Sequence, residues 1–286
     1  MSDAPQKIRI ESDPERVSVY LGVSPDPILV QNAQVDHRAN IHPIVVPGGT
    51  AVLTEDAPSH HPWQHGLYVG LNDVNGAGFW SEGLHPRDSE FDGTFHPQIV
   101  GVPSVDDGVA TWAVSSEYRD RDGELILHET QDWALTDLGD RYQLDLLLTF
   151  HADVPVTFGE YPYGGLFLRM PFRTENGGNA FSSAGATREE ADAKRARWAA
   201  VQMPVDGADA EVLVAILDHP ENLEHPVPWR LDGQLGIGPS VSVVGSWQLD
   251  AGEERQFQHR VIVYSEPVES AEIEEAWASY SKEGSL

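Results

Sequence analysis

Arg141-Tyr142-Gln143-Leu144-Asp145-Leu146-Leu147-Leu148-Thr149-Phe150 puts apolar residues at 142, 144, 146, 148 and 150. That is a period of two, the pattern of a strand with one face buried; a helix would repeat near 3.6. The same alternation runs through Arg16–Leu21, Val109–Glu117 and Leu127–Trp133. Leu166–Met170, Glu211–Leu217, Ser240–Gln248 and Glu254–Tyr264 read as further strands. Turn residues punctuate them at Val46-Pro47-Gly48-Gly49, Asp106-Asp107-Gly108, Arg121-Asp122-Gly123 and Asp232-Gly233. Strands joined by Asp-Gly read as hairpins.

Only two segments read as helix. Thr187-Arg188-Glu189-Glu190 has the form of a capping box, with a helical pattern continuing to about Val201. Ile273, Ala276, Trp277 and Tyr280 fall at i, i+3, i+4 and i+7, one helical face. No internal repeat, low-complexity tract or linker interrupts the 286 residues. The expected fold is all-β: a single large antiparallel β-sandwich with two short helices, forming one domain over residues 1–286.

Composition excludes several function classes. The 46 acidic residues against 18 basic give a net charge of −28, which repels nucleic acid and anionic membranes. The chain has no cysteine, so thiolate chemistry and Cys-ligated zinc are excluded. The longest apolar stretches, Leu144–Phe150 and Val212–Leu217, are far short of the roughly 20 residues that span a bilayer. With no signal pattern at Met1-Ser2-Asp3-Ala4-Pro5, the chain reads as soluble and cytoplasmic. No phosphate-binding glycine loop or dinucleotide fingerprint is present, so no nucleotide cofactor is expected.

Three clusters carry side chains suited to chemistry. In the first, five of the 12 histidines fall between residues 37 and 65: His37, His42, His60, His61 and His65. Histidine is the usual acid or base near neutral pH and the commonest metal ligand. Trp63 and Trp80 flank this cluster, and Asp73-Val74-Asn75-Gly76 forms a turn beside it. The second, Gly159–Pro171, offers Tyr163 and an arginine, Arg169, on the strand face opposite Leu168 and Met170. The third, Leu217–Trp229, places Asp218 and His219 where an apolar strand ends, with Trp229 beyond. Glu129 lies in an alternating strand, as a solvated outward position or a metal-binding or basic carboxylate.

In this order the clusters resemble the bacterial PmoA-like, methane-oxygenase-named family. The resemblance covers about residues 36–265 and rests on Asn40-Ile41-His42-Pro43, His60–Trp80, Tyr163–Pro171 and Leu217–Trp229. The stretch Gly66-Leu-Tyr-Val-Gly-Leu-Asn-Asp-Val-Asn-Gly-Ala-Gly-Phe-Trp80 is its most specific part. Where that family more often has His-His-Arg before Gly66, this chain has Trp63-Gln64-His65. A membrane monooxygenase subunit needs transmembrane helices, so the inherited name does not describe the function. What the resemblance implies instead is carbohydrate catabolism.

These readings converge on a carbohydrate-active enzyme. The first expectation is a lyase or hydrolase that cleaves glycosides or keto-glycosides, assisted by a divalent metal on His61, His65 and Glu129. His42, His61, His65, Arg169 and His219 are its candidate catalytic residues. Trp63, Asn75, Trp80, Tyr163 and Trp229 are its candidate substrate contacts. The alternatives are a metal-independent, mutarotase-like sugar epimerase and a non-catalytic carbohydrate-binding protein. In each case the partner is a small sugar or glycoside, and the chain is free to form a homo-oligomer.

Overall fold

The computed structural model describes residues 7–85 and 90–284. Its strands form an eight-stranded and an eleven-stranded antiparallel sheet among those residues, as the alternating pattern predicts. The eight-stranded sheet runs Asn179–Ser182, Trp198–Met203, Val212–Asp218, Glu254–Tyr264, Arg141–Ala152, Leu125–Asp137, Val109–Arg119 and Thr94–Asp106. The main path of the other runs Ile8–Asp13, Arg16–Leu21, Leu29–Asn32, Asn40–Ile44, Leu67–Val74, Gly165–Leu168, Ile237–Pro239 and Trp229–Leu231. The turns read at residues 106–108, 121–123 and 232–233 each join paired strands.

Alternation fills the space between the sheets. Tyr142, Leu144, Leu146, Leu148 and Phe150 from one sheet join Leu67, Val69, Leu71, Leu166, Leu168 and Ile237 from the other in one buried cluster. The opposite faces carry separate clusters. On the eight-stranded sheet, Trp198, Leu213, Leu217 and Ile262 are covered by the helix Ser270–Tyr280. That helix presents the expected face, with Ile273 and Tyr280 buried and Ala276 and Trp277 packed beside them. On the eleven-stranded sheet, Tyr68 and Phe167 point away from the main core and meet Trp80, Trp63 and Tyr163.

Two expectations are corrected. The segment from Thr187 to Val201 is not a helix. It makes one 3-10 turn, Arg188–Glu190, without a side-chain cap bond from Thr187, and then enters the strand Trp198–Met203. Arg188 and Ala193 adopt φ of 48° and 58°, which no α-helix accommodates. Burial of the strand between two antiparallel neighbours overrides the local helical preference. Ser240–Gln248 is likewise a 3-10 turn, Val241–Val244, followed by the short strand Trp247–Leu249. No helix among the described residues is long and apolar enough to cross a membrane.

Candidate functional site

The site grows from the outward face of Leu67–Val74 and Gly165–Leu168. The register sets Phe167 opposite Tyr68 and Gly165 opposite Gly70. Because side chains alternate, Tyr68 and Phe167 form an aromatic floor while their neighbours enter the core. Trp80 lies on this floor, 5.5 Å from the Tyr68 ring and 5.3 Å from Phe167. Tyr163 packs on Trp80 at 4.5 Å. A cavity of about 200 Å³ opens here, lined by His61, Trp63, Trp80, Tyr163, Arg230 and Asp232, with Gln64, Ser81, His85 and Phe167.

Polar groups around this cavity keep unused hydrogen-bonding capacity. His61 Nδ1 and Gln64 Oε1 are buried in its wall without a hydrogen-bond partner. Tyr68 Oη, beneath it, is in the same state. Burial lowers the His61 pKa; Arg169 and His60 push the same way, and Asp232 opposes them. His61 is therefore a neutral imidazole at pH 7, able to accept a proton. Asp232 is fixed by its own turn, where Oδ1 accepts the amides of Gln234 at 2.9 Å and Gly236 at 2.8 Å. Arg230 is held by Asp192 at 2.8 Å.

A buried ionic network backs the wall. Arg38 Nε lies 3.2 Å from Glu82 Oε1, with the two side chains 1% and 4% exposed. The Arg38 guanidinium also lies 4.5 Å over the Tyr68 ring and donates to the carbonyl of Trp80, fixing that residue from behind. His65 bridges two carboxylates, 2.7 Å from Asp56 through Nδ1 and 3.5 Å from Glu82 through Nε2. Burial works against charge on His65, but Asp56 and Glu82 outweigh it and raise its pKa. Burial likewise opposes charge on Glu82, and Arg38, His65 and His37 hold its pKa below the usual range. Glu82 adopts φ of 52°, a conformation that costs free energy in a non-glycine residue.

The predicted residues divide into three groups. His61, Trp63, Trp80 and Tyr163 line the cavity together. Arg169, His65 and His42 lie behind the wall. Arg169 is fully buried and holds Glu55 at 3.4 Å and His60 at 2.8 Å. The Nδ1 of His42 sits 2.9 Å from Thr54 Oγ1, and burial lowers its pKa.

The remaining four take structural positions. Trp229 is fully buried in the main core, its indole N–H on the Ala196 carbonyl at 2.8 Å. Asn75 straps a turn, donating to Pro155 O at 3.0 Å and accepting from Thr157 N at 2.8 Å. His219 lies against Tyr280 of the C-terminal helix at 5.1 Å, on the other sheet's outer side. Glu129 is not a solvated position: it is 2% exposed, with Tyr118 Oη and Gln131 Nε2 each 2.5 Å away. Among the described residues no group of three or more His, Asp or Glu side chains is gathered as for a metal ion, His61, His65 and Glu129 included.

Arg38, Asp56, Glu82, His85, Arg230 and Asp232 were missed. Their sequence signals were slight: Asp232 opens a turn already read as one, Arg230 follows a tryptophan in alternating register, and Arg38 adjoins His37.

The arrangement defines a two-sheet β protein with an aromatic-floored cavity carrying a neutral imidazole, a carboxylate and a guanidinium. The chain belongs to the Family of unknown function (DUF6807), whose model matches residues 28–278. This corrects the PmoA-like resemblance, since DUF6807 is the family that the chain matches. No curated protein sequence matches it. Among solved structures it is similar to a galactose mutarotase related enzyme from Lactobacillus acidophilus, at TM-score 0.37 and 10% identity, over 90% of this chain and 97% of that one. It is similar to the Slr1438 protein of Synechocystis sp. PCC 6803, at TM-score 0.43 and 9% identity, over 92% and 97%. A candidate aldose 1-epimerase from Klebsiella pneumoniae gives TM-score 0.42 and 12% identity, over 95% and 85%.

Proposed function

We propose that the protein binds an aldose in the His61 cavity and interconverts its anomers by proton transfer. The observation that carries this reading is His61 itself. Its neutral imidazole lines a cavity whose other walls are four aromatic side chains, Trp63, Trp80, Tyr163 and Phe167, and five polar ones, Gln64, Ser81, His85, Arg230 and Asp232. Aromatic faces beside fixed polar groups suit a sugar ring, which is apolar on its C–H faces and polar at its rim.

The reaction asks only for a proton to be moved. His61 takes the proton from the anomeric hydroxyl, O1. The C1–O1 bond becomes a carbonyl as the C1–O5 bond breaks, and the imidazolium returns the proton to O5. Rotation about C1–C2 and closure on the other carbonyl face give the second anomer, with His61 back in its starting state. Asp232 favours the imidazolium that forms between these steps, in the direction of its effect on the His61 pKa. Arg230 and Gln64 orient ring hydroxyls.

Polarimetry with a panel of aldoses tests this reading. The wild-type protein is expected to accelerate approach to anomeric equilibrium for at least one of them. His61→Gln is expected to lower kcat by about 10²–10⁴-fold, the usual contribution of a positioned acid or base. Asp232→Asn is expected to lower it less. Variants as active as the wild type would sink the assignment.

A further inference from the structure

A second cavity, of about 570 Å³, is lined by Glu55, Ser59, His60, Arg173, Glu175 and Gln234 with their neighbours. Its lining and that of the first are built from adjacent residues of the same two loops. His60 lines the second cavity and His61 the first; Gln234 lines the second and Asp232 the first. In the lining of the second cavity, His60 Nε2 and Gln234 Oε1 lie 2.5 Å apart. One terminal nitrogen of the buried Arg169 contacts both atoms. With its proton on Nε2, His60 donates to Gln234 Oε1, which also accepts from Arg169. Arg169 thus ties His60 and Gln234 together.

The second cavity is chemically neutral to acidic. Arg173 is paired with Glu55 at 2.6 Å, and Glu175 adds a further carboxylate. Glu55 and Glu175 balance Arg173 and the buried Arg169 that also faces Glu55, so an anionic group meets no net positive charge there, on a chain whose total is already −28. An uncharged polyhydroxylated group meets the Ser59 and Thr174 hydroxyls, the Gln234 amide and the Phe172 ring.

We infer that the substrate is a reducing oligosaccharide of neutral sugars. Its reducing-end ring occupies the His61 cavity, and the next ring crosses above His60 and Gln234 into the second cavity. Bonds change only at C1 of the reducing end, and the glycosidic bond stays intact. The inference rests on the anomerisation proposed above.

The test compares glucose with maltose, cellobiose and lactose, which all end in a reducing glucose, by anomer-exchange kinetics. Wild-type kcat/KM is expected to be about ten-fold or more higher for at least one disaccharide than for glucose. Thr174→Trp fills the second cavity from an exposed position and is expected to remove that advantage through KM, leaving the glucose constants unchanged. Glu175→Trp, also at an exposed lining position, serves the same purpose should the Thr174 variant fail to fold. Disaccharide constants equal to or below those of glucose, or an advantage that survives both variants, would overturn the inference while leaving anomerisation standing. Acceleration of no sugar of either kind would overturn the parent reading and this inference with it.

Discussion

At the scale of the residue, two titrating groups give opposite and separable expectations. His61 must be neutral to act as a base, and burial lowers its pKa below the ordinary 6.5. Activity is therefore expected to hold as pH falls through 6.5 and to fail only at lower pH, which a kcat/KM profile would reveal. A limb at or above 6.5 would assign the base to another group. Glu129 bears on stability instead. Burial pushes its pKa from 4.5 up to about 7. Between those values the folded state keeps a proton that the unfolded chain has released, so stability falls as pH rises through the window. Glu129→Gln removes that titration, and is expected to flatten the decline and to stabilise above pH 7 by about 1–3 kcal/mol in urea unfolding. Parallel profiles for the two proteins would contradict it. The residues legible in the sequence were those that cluster along the chain, such as His61, Trp63 and Trp80. Arg230 and Asp232 meet them only through the fold. Trp229 shows how narrow the margin is: strand alternation sends it into the core and its neighbour Arg230 to the cavity.

At the scale of the element, the strand Leu67–Val74 does two jobs because its faces differ. Leu67, Val69 and Leu71 enter the core, while Tyr68 and Gly70 face the site. Gly70 is small because a Cβ there would come 2.6 Å from the Trp80 ring and 2.8 Å from an Arg38 nitrogen. Gly70→Ala is expected to displace both, lowering stability by about 1–3 kcal/mol and weakening sugar binding together. Thermal melts and titration calorimetry would check this, and an unchanged Tm with unchanged affinity would refute it. Strands and their Asp-Gly hairpins were readable because alternation and turn chemistry are local. Trp198–Met203 was not, since its sequence suits a helix and only its pairing partners make it a strand.

At the scale of the whole molecule, the net charge of −28 acts on every folded copy. Self-repulsion among 46 acidic residues opposes the compact state, and salt screens it over about 10 Å at 0.1 M. Tm is therefore expected to rise as sodium chloride is added from a low starting concentration. A falling Tm would mean that attractive pairs such as Arg260–Asp145 and Arg38–Glu82 outweigh the repulsion. The architecture followed from the period-two pattern, but the site's position did not, because it depends on which sheet face remains outside the main core. There Tyr68 and Phe167 gather the loops bearing His61, Trp80 and Tyr163.

The most direct measurement is magnetisation transfer between the α and β anomeric protons of reducing sugars, with substoichiometric protein and with His61→Gln beside it. The expected result is exchange well above the spontaneous rate in the wild type and near that rate in the variant. Sugar binding detected by line broadening, with no exchange above the spontaneous rate for any sugar, would contradict catalysis and leave a carbohydrate-binding protein.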